Sequence, residues 1–231
     1  MKEGEESTTK LWVRALLSTD SCLFLMPPLV IMWIVLLVNL FMSGDLNRYG
    51  IVPRTTDGLI ALLYYPFIHA TFGHLIGNSC AFYSLGSSVL LIARSKWVFA
   101  ILTVAIVDVS GIFVWIFGGE GTSHVGCSGI IYGWFGYLIT LALLRRDVCT
   151  CTIALLCALI YASAMLSGLE GTLPLNDSSD NISYEGHFFG LAVGIGFVPL
   201  ELFLVSVMME EDRYKKEDED IDEAATTTLL P

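Results

Sequence analysis

The sequence predicts an all-α, polytopic membrane protein built as a bundle of six transmembrane helices. Three observations carry that expectation. Of the 231 residues, 55% are hydrophobic, and the mean hydropathy of +0.69 lies well above that of a soluble globular chain. The apolar residues gather into six runs, each close to the ~20 residues that a bilayer-crossing helix needs. The charged residues fall almost entirely between and beyond those runs.

The chain opens on MKEGEESTTK, which is acidic and short. It resembles neither a cleavable signal peptide nor a basic transit peptide, so residues 1–21 read as a short cytosolic N-terminus. The first apolar segment, Cys22 to Met42, reads as an uncleaved signal-anchor with Pro27-Pro28 in its first turns, where proline is tolerated. The next five segments run from Gly73 to Ala93, Trp97 to Phe117, Ser128 to Leu144, Val148 to Ser167, and His187 to Met209. Between the first two lies the apolar stretch LIALLYYPFIHA (Leu59 to Ala70). It is too short to span and reads as part of an outer loop lying in or on the membrane face.

The net charge of −11 is largely a local feature. From Glu210 onward nine acids face three bases, so this stretch alone supplies −6. Residues 210–231 therefore read as a solvated, disordered cytosolic tail. No basic footprint supports nucleic acid as a partner.

Orientation follows from lysine and arginine, which accumulate on the cytosolic side. With a cytosolic N-terminus, Lys2, Lys10, Arg14, Arg94, Lys96, Arg145, Arg146, Arg213, Lys215 and Lys216 lie inside, and only Arg48 and Arg54 lie outside. An even number of spans returns the C-terminus to the cytosol. The expected location is thus an integral, multi-pass protein of the plasma membrane or secretory pathway. The same topology places residues 168–186 outside, with two N-glycan acceptors at Asn176 and Asn181. The six cysteines are irregularly spaced with no CxxC, unlike a disulfide framework. Cys149 and Cys151, beside Arg145 and Arg146, are candidates for acylation; the plainer reading is small packing residues.

Segments two, four and six all enter the membrane from the outer side, so their N-terminal ends share one level. Those ends read GHLIGN (Gly73 to Asn78), GCSG (Gly126 to Gly129) and GHFFG (Gly186 to Gly190). Parity alone therefore brings His74, Asn78, Ser128 and His187 to similar depth. Ionisable and polar groups within spans are costly and are functional candidates by default. The chemistry that fits is acyl transfer. A serine hydroxyl is a poor nucleophile until an adjacent imidazole takes its proton, which makes Ser128 the candidate nucleophile and His187 the candidate base. His74 and Asn78, four apart, share one helical face and can aim two donors at a developing oxyanion, joined by the Ser128 backbone N–H at a helix N-terminus. Gly129, Gly133 and Gly136 on segment four, with Gly186, Gly190 and Gly194 on segment six, form small faces that let two helices approach. No acid is placed to orient His187, since Asp108 is mid-span and Glu201 lies toward the inner end. That favours a Ser–His dyad, with Tyr132 one turn below Ser128 holding the imidazole by stacking. Each feature alone has a bland reading: serine as packing glue, histidine as a satisfied interfacial residue, glycine faces as ordinary helix packing. The conjunction at matched depth departs from it.

At these residues the chain resembles the rhomboid family of intramembrane serine proteases. The resemblance is carried by HxxxN at His74 and Asn78, by GxSG at Gly126 to Gly129 with Tyr132 four beyond the serine, and by GHxxGxxxG at Gly186 to Gly194. His69, five before His74, also matches a histidine common in that family. The resemblance implies a six-helix rhomboid-like protease domain over residues 22–209 and a Ser–His dyad with no cofactor and no metal. It also implies cleavage of single-span transmembrane protein substrates near the outer or luminal face, reached laterally through the lipid with helix five and the outer loops as gate. The first outer loop departs from the family in lacking its Trp-Arg pair, and no seventh span follows segment six.

Two other readings remain at this stage. A catalytically inactive relative that binds and routes membrane clients would usually lack the serine or the histidine, and both are present. A metal site could draw on His69, His74, His124 and His187, all four histidines of the chain, yet no cysteine or carboxylate completes a standard ligand spacing.

Overall fold

The computed structural model describes residues 8–43, 45–169 and 183–228. The expected acceptors Asn176 and Asn181 lie outside them. The described residues form an all-helical bundle, and their one ladder-like contact is an isolated bridge between Ile51 and His124. Six helices are long and apolar enough to cross a membrane, and the chain is an integral, multi-pass membrane protein.

Helix α1 (Thr8–Leu16) precedes the first span and was not foreseen. Its Trp12 Nε1–H donates to Ser88 Oγ at 2.8 Å. Ser18 then caps α2 (Thr19–Phe41), its hydroxyl accepting from Ser21 N at 3.1 Å. Because this cap starts α2 three residues before the expected Cys22, Pro27 and Pro28 fall in the helix interior rather than its first turns. The loop that follows contains the short helix α3 (Thr56–Ile60). The apolar stretch after it does more than rest on a membrane face. Leu63 is exposed, but Ala61, Tyr65, Ile68 and His69 turn inward and are buried.

Helix α4 (Phe72–Ile92) carries His74 and Asn78 and is capped by Thr71, whose hydroxyl accepts from His74 N at 3.1 Å. The third crossing is a composite of α5 (Lys96–Ala105), a π turn at Ile106–Ser110, and α6 (Gly111–Phe117). Helix α7 (Ser128–Arg145) is the bundle's centre, with Trp134 and Tyr137 fully enclosed. Helix α8 (Val148–Ser167) coincides with its expected bounds and is capped by Asp147, whose carboxylate accepts from Thr150 N at 2.9 Å. Two hydrogen bonds from Thr150 hold that carboxyl below its usual range. Helix α9 runs from Tyr184 to Thr228, with Tyr184–Val207 as its membrane portion. Its continuation through the acidic stretch departs from the disorder expected there.

Large apolar side chains such as Phe41, Trp97, Leu159 and Phe203 point outward all around the bundle. In water this would be a liability; in hydrocarbon it is the required surface.

The seam between α7 and α9 is the tightest in the molecule. A Cβ on Gly190 would lie 2.2 Å from the Gly129 carbonyl oxygen, and one on Gly194 would lie 1.9 Å from that of Gly133. Only glycine permits these backbones to touch.

Candidate active site

The glycine seam fixes where the two ends of the candidate dyad meet. Ser128 is the first residue of α7, and His187 lies in the first turn of α9. His187 Nε2 stands 2.8 Å from Ser128 Oγ, and its Nδ1 stands 2.7 Å from the Gly168 carbonyl oxygen. A carbonyl can only accept, so the proton resides on Nδ1. Nε2 is then left as an acceptor for the Ser128 hydroxyl. The Tyr132 ring lies over the imidazole with centroids 4.2 Å apart and planes 8° from parallel, the stacking expected from its place one turn below the serine. The Tyr132 hydroxyl in turn donates to the Met165 carbonyl at 2.9 Å.

The opposite wall comes from α4 and the loop before it. Gly126 has φ +105°, a conformation that an L side chain rarely adopts. A Cβ there would also lie 3.2 Å from His74 Cε1 and 3.7 Å from Asn78 Nδ2. The GCSG turn therefore brings its backbone against both candidate oxyanion donors, just ahead of the free N–H groups that begin α7. Asn78 is held in turn by His69, its Nδ2 donating to His69 Nε2 at 3.1 Å. That bond requires His69 to be neutral. Burial, and then the neighbouring His74, lower the His69 pKa from 6.5 to about 4. Its ring also meets His74 edge to face at 5.2 Å and lies 3.6 Å from Cys127 Sγ. Burial pushes the Cys127 thiol up to about 12, so it stays protonated and can only donate weakly there.

Two polar ties set the loops around this wall. Tyr65 accepts from Gly126 N at 3.0 Å through its carbonyl and donates to the Val107 carbonyl at 3.2 Å through its hydroxyl. His124 bonds Ser183 through Nδ1 and Thr122 through Nε2, both at 2.7 Å, which fastens the loop before α7 to the start of α9. Burial lowers the His124 pKa, partly offset by the Glu185 carboxylate.

A crevice of about 670 Å³ opens over these residues between α4 and α8, lined by His74, Asn78, Ser128, Tyr132 and His187. The candidate nucleophile, the candidate base and two side chains able to donate thus face one space that an extended peptide could enter from the side. Every sequence-predicted site residue is found at this site or packed behind it: Ser128, His187, His74 and Asn78 in its wall, Tyr132, His69 and Gly126 supporting them, Gly129 and Gly190 in the seam. The sequence reading missed Gly168 and Met165, which act through backbone carbonyls. The only available signal was a glycine directly after an apolar run, an ordinary helix C-terminus. Neither acid weighed earlier reaches His187. Glu201 accepts from Tyr137 Oη at 2.9 Å deep in the bundle, and Asp108 lines a separate apolar crevice of about 220 Å³ with Thr103 and Trp134.

Comparison with known proteins agrees with this architecture. The family model described as the Rhomboid domain matches residues 56–202. An uncharacterized protein of Mycobacterium tuberculosis is 29% identical over 170 residues, covering 71% of this chain and 68% of that protein. An uncharacterized protein of Mycobacterium leprae is 26% identical over 197 residues, covering 82% and 73%. A protein of Acanthamoeba polyphaga mimivirus, provisionally named as a rhomboid protein, is 29% identical over 180 residues, covering 72% and 86%.

Proposed function

The chain belongs to the rhomboid family, and from that premise we propose that it is an intramembrane serine endopeptidase acting on single-span transmembrane proteins. The observation that carries this reading is the 2.8 Å approach of His187 Nε2 to Ser128 Oγ inside a crevice that opens sideways.

The Ser128 hydroxyl gives its proton to Nε2 as Oγ bonds to the scissile carbonyl carbon. The carbonyl π electrons move onto oxygen, where His74, Asn78 and the first N–H groups of α7 receive the charge. The imidazolium then protonates the leaving amine as the C–N bond breaks, leaving an acyl-serine. Water enters by the same base-assisted route and releases the new carboxylate. Preorganised donors of this kind are worth about 10²–10³ in rate each, so cleavage by Asn78→Ala falls by that order while the chain still accumulates in the membrane.

The lysine and arginine distribution supports cytosolic termini, with the crevice near the outer or luminal face. Gly73 and Gly77 line the crevice on α4, and a Cβ at either would meet nothing within 4 Å. The entrance thus has room for an incoming backbone.

A fluorophosphonate probe and a reporter membrane substrate test the reading together. The wild-type chain labels and cleaves, while Ser128→Ala and His187→Ala accumulate in the membrane but do neither. Cleavage retained in Ser128→Ala, or a wild-type chain inert to both reagents, overturns it. The second outcome would instead favour an inactive, client-binding relative.

A further inference from the structure

We propose that the C-terminal end of α8, acting through the Gly168 carbonyl, is a positioning element for His187 that does the work a carboxylate does in a catalytic triad. The inference rests on the serine-protease reading above. It concerns how the base is oriented, not whether one is present.

A general base in a dyad has two needs. Its ring must be held in the tautomer that leaves Nε2 bare, and the positive charge it gains must be stabilised. A buried aspartate usually supplies both. Among the described residues no carboxylate reaches Nδ1, yet Nδ1 is not left idle: the Gly168 oxygen stands 2.7 Å away. Three features make that oxygen more than a chance neighbour. First, the last carbonyls of a helix have no intrahelical partner and seek one elsewhere; Gly168 is the C-cap of α8. Second, a helix C-terminus carries roughly half an elementary negative charge, so an imidazolium forming there meets a favourable field. Third, the same helix end grips the stacked ring, because the Tyr132 hydroxyl donates to Met165 O and lies 3.4 Å from Ala164 O. Two carbonyls in the last turn of one helix, those of Met165 and Gly168, thus define both the plane and the direction of the imidazole.

Position 168 is sterically reserved for this arrangement. A Cβ there would lie 1.9 Å from the Tyr132 hydroxyl and 3.1 Å from His187 Nδ1. Any side chain would push the helix end off both groups.

A backbone ester tests the carbonyl without touching a side chain. Replacing Leu169 by its α-hydroxy analogue turns the Gly168 amide carbonyl into a weaker ester acceptor. Replacing Gly168 by glycolic acid instead weakens the Ser167 carbonyl and removes an N–H bonded to Ala164 O, leaving the Gly168 carbonyl an amide. The expected result is a loss of about tenfold in kcat with KM unchanged for the first ester, and little change for the second. Equal losses from both esters would reveal a merely structural helix end and overturn the proposal. So would full activity in the first. Independently of turnover, nitrogen-15 histidine spectra of the wild-type chain, with His187→Gln for assignment, should report a His187 protonated on Nδ1 with a strongly downfield proton. The opposite tautomer overturns the inference. If the wild-type chain proves inert while Nδ1 is protonated and bonded, the protease reading falls and takes this role with it.

Discussion

Two helix boundaries that flank the candidate site are built on opposite principles. Between α7 and α9 the backbones touch through glycines, and Gly129, Gly133, Gly190 and Gly194 leave no side chain to rearrange. Between α4 and α8 a crevice of about 670 Å³ separates the helices. They are tied lower down by a few polar contacts, chiefly Ser84 Oγ to Tyr161 Oη at 2.5 Å. The candidate nucleophile and base are carried on the glycine seam; the crevice lies at the loose boundary. The contrast sets a fixed pair of polar groups beside a boundary that can yield. Backbone contact resists displacement because nothing in it can change rotamer, whereas a sparse polar tie can break and reform.

The sharpest way to break this contrast is Gly194→Ala. The added methyl meets the Gly133 carbonyl, and overpacking of this kind costs roughly 1–3 kcal/mol. Moving the dyad by an ångström costs about a hundredfold in rate. Thermal unfolding in nanodiscs and reporter cleavage should therefore both fall sharply. A variant that keeps its melting point and its activity would show that the seam is not rigid.

On the loose side the opposite split is expected. Gly77→Phe adds bulk where even a Cβ would meet nothing within 4 Å, so the melting point stays while cleavage of a transmembrane substrate drops about tenfold by obstruction. Loss of stability instead would mean that the crevice closes on itself. Tyr161→Phe removes the tie to Ser84 and gives up about 1 kcal/mol of a net hydrogen bond. Cleavage of membrane substrates then rises two- to fivefold, with no change in probe labelling of Ser128. A fall in cleavage would identify the tie as part of the substrate platform rather than a latch.

The smallest effect at neutral pH concerns His69, whose folded pKa of about 4 lies below its ordinary 6.5. Between those values the unfolded chain binds the proton and the folded chain does not. Stability from this group is therefore complete above about pH 6.5 and is lost progressively as the pH falls toward 4. Melting temperature against pH should show that slope in the wild-type chain, and His69→Gln should flatten it. An unchanged slope would place the acid sensitivity elsewhere, with His124 the next histidine to examine.

Much of the molecule is written in side chains and was therefore legible. All six spans begin and end within about a turn of their expected limits, because a ~30 Å hydrocarbon layer imposes length and composition together. The conjunction of His74, Asn78, Ser128 and His187 followed from the parity of the spans. What escaped had no side-chain signature. Gly168 and Met165 act through carbonyls that every residue possesses. Helix α1 is only nine residues long and follows an acidic start, so the Trp12 contact with Ser88 could not be read from it. The caps at Ser18 and Thr71 shifted two helix starts outward, since a hydroxyl in the right place extends a helix beyond its apolar run.

The π turn at Ile106–Ser110 has a consequence of another kind. Such a turn is an α-helix carrying one residue too many. It seats Ile106 against Gly133, and it lends the Val107 carbonyl to Tyr65, which holds Gly126. The outer half of this crossing is thus out of phase with the inner half by a single position. An alignment that treats Lys96–Phe117 as an ungapped helix will therefore mismatch one half of it. Relatives without the turn are expected to carry a one-residue deletion between Ile106 and Ser110, and that deletion would be the mark of a differently tethered GxSG turn.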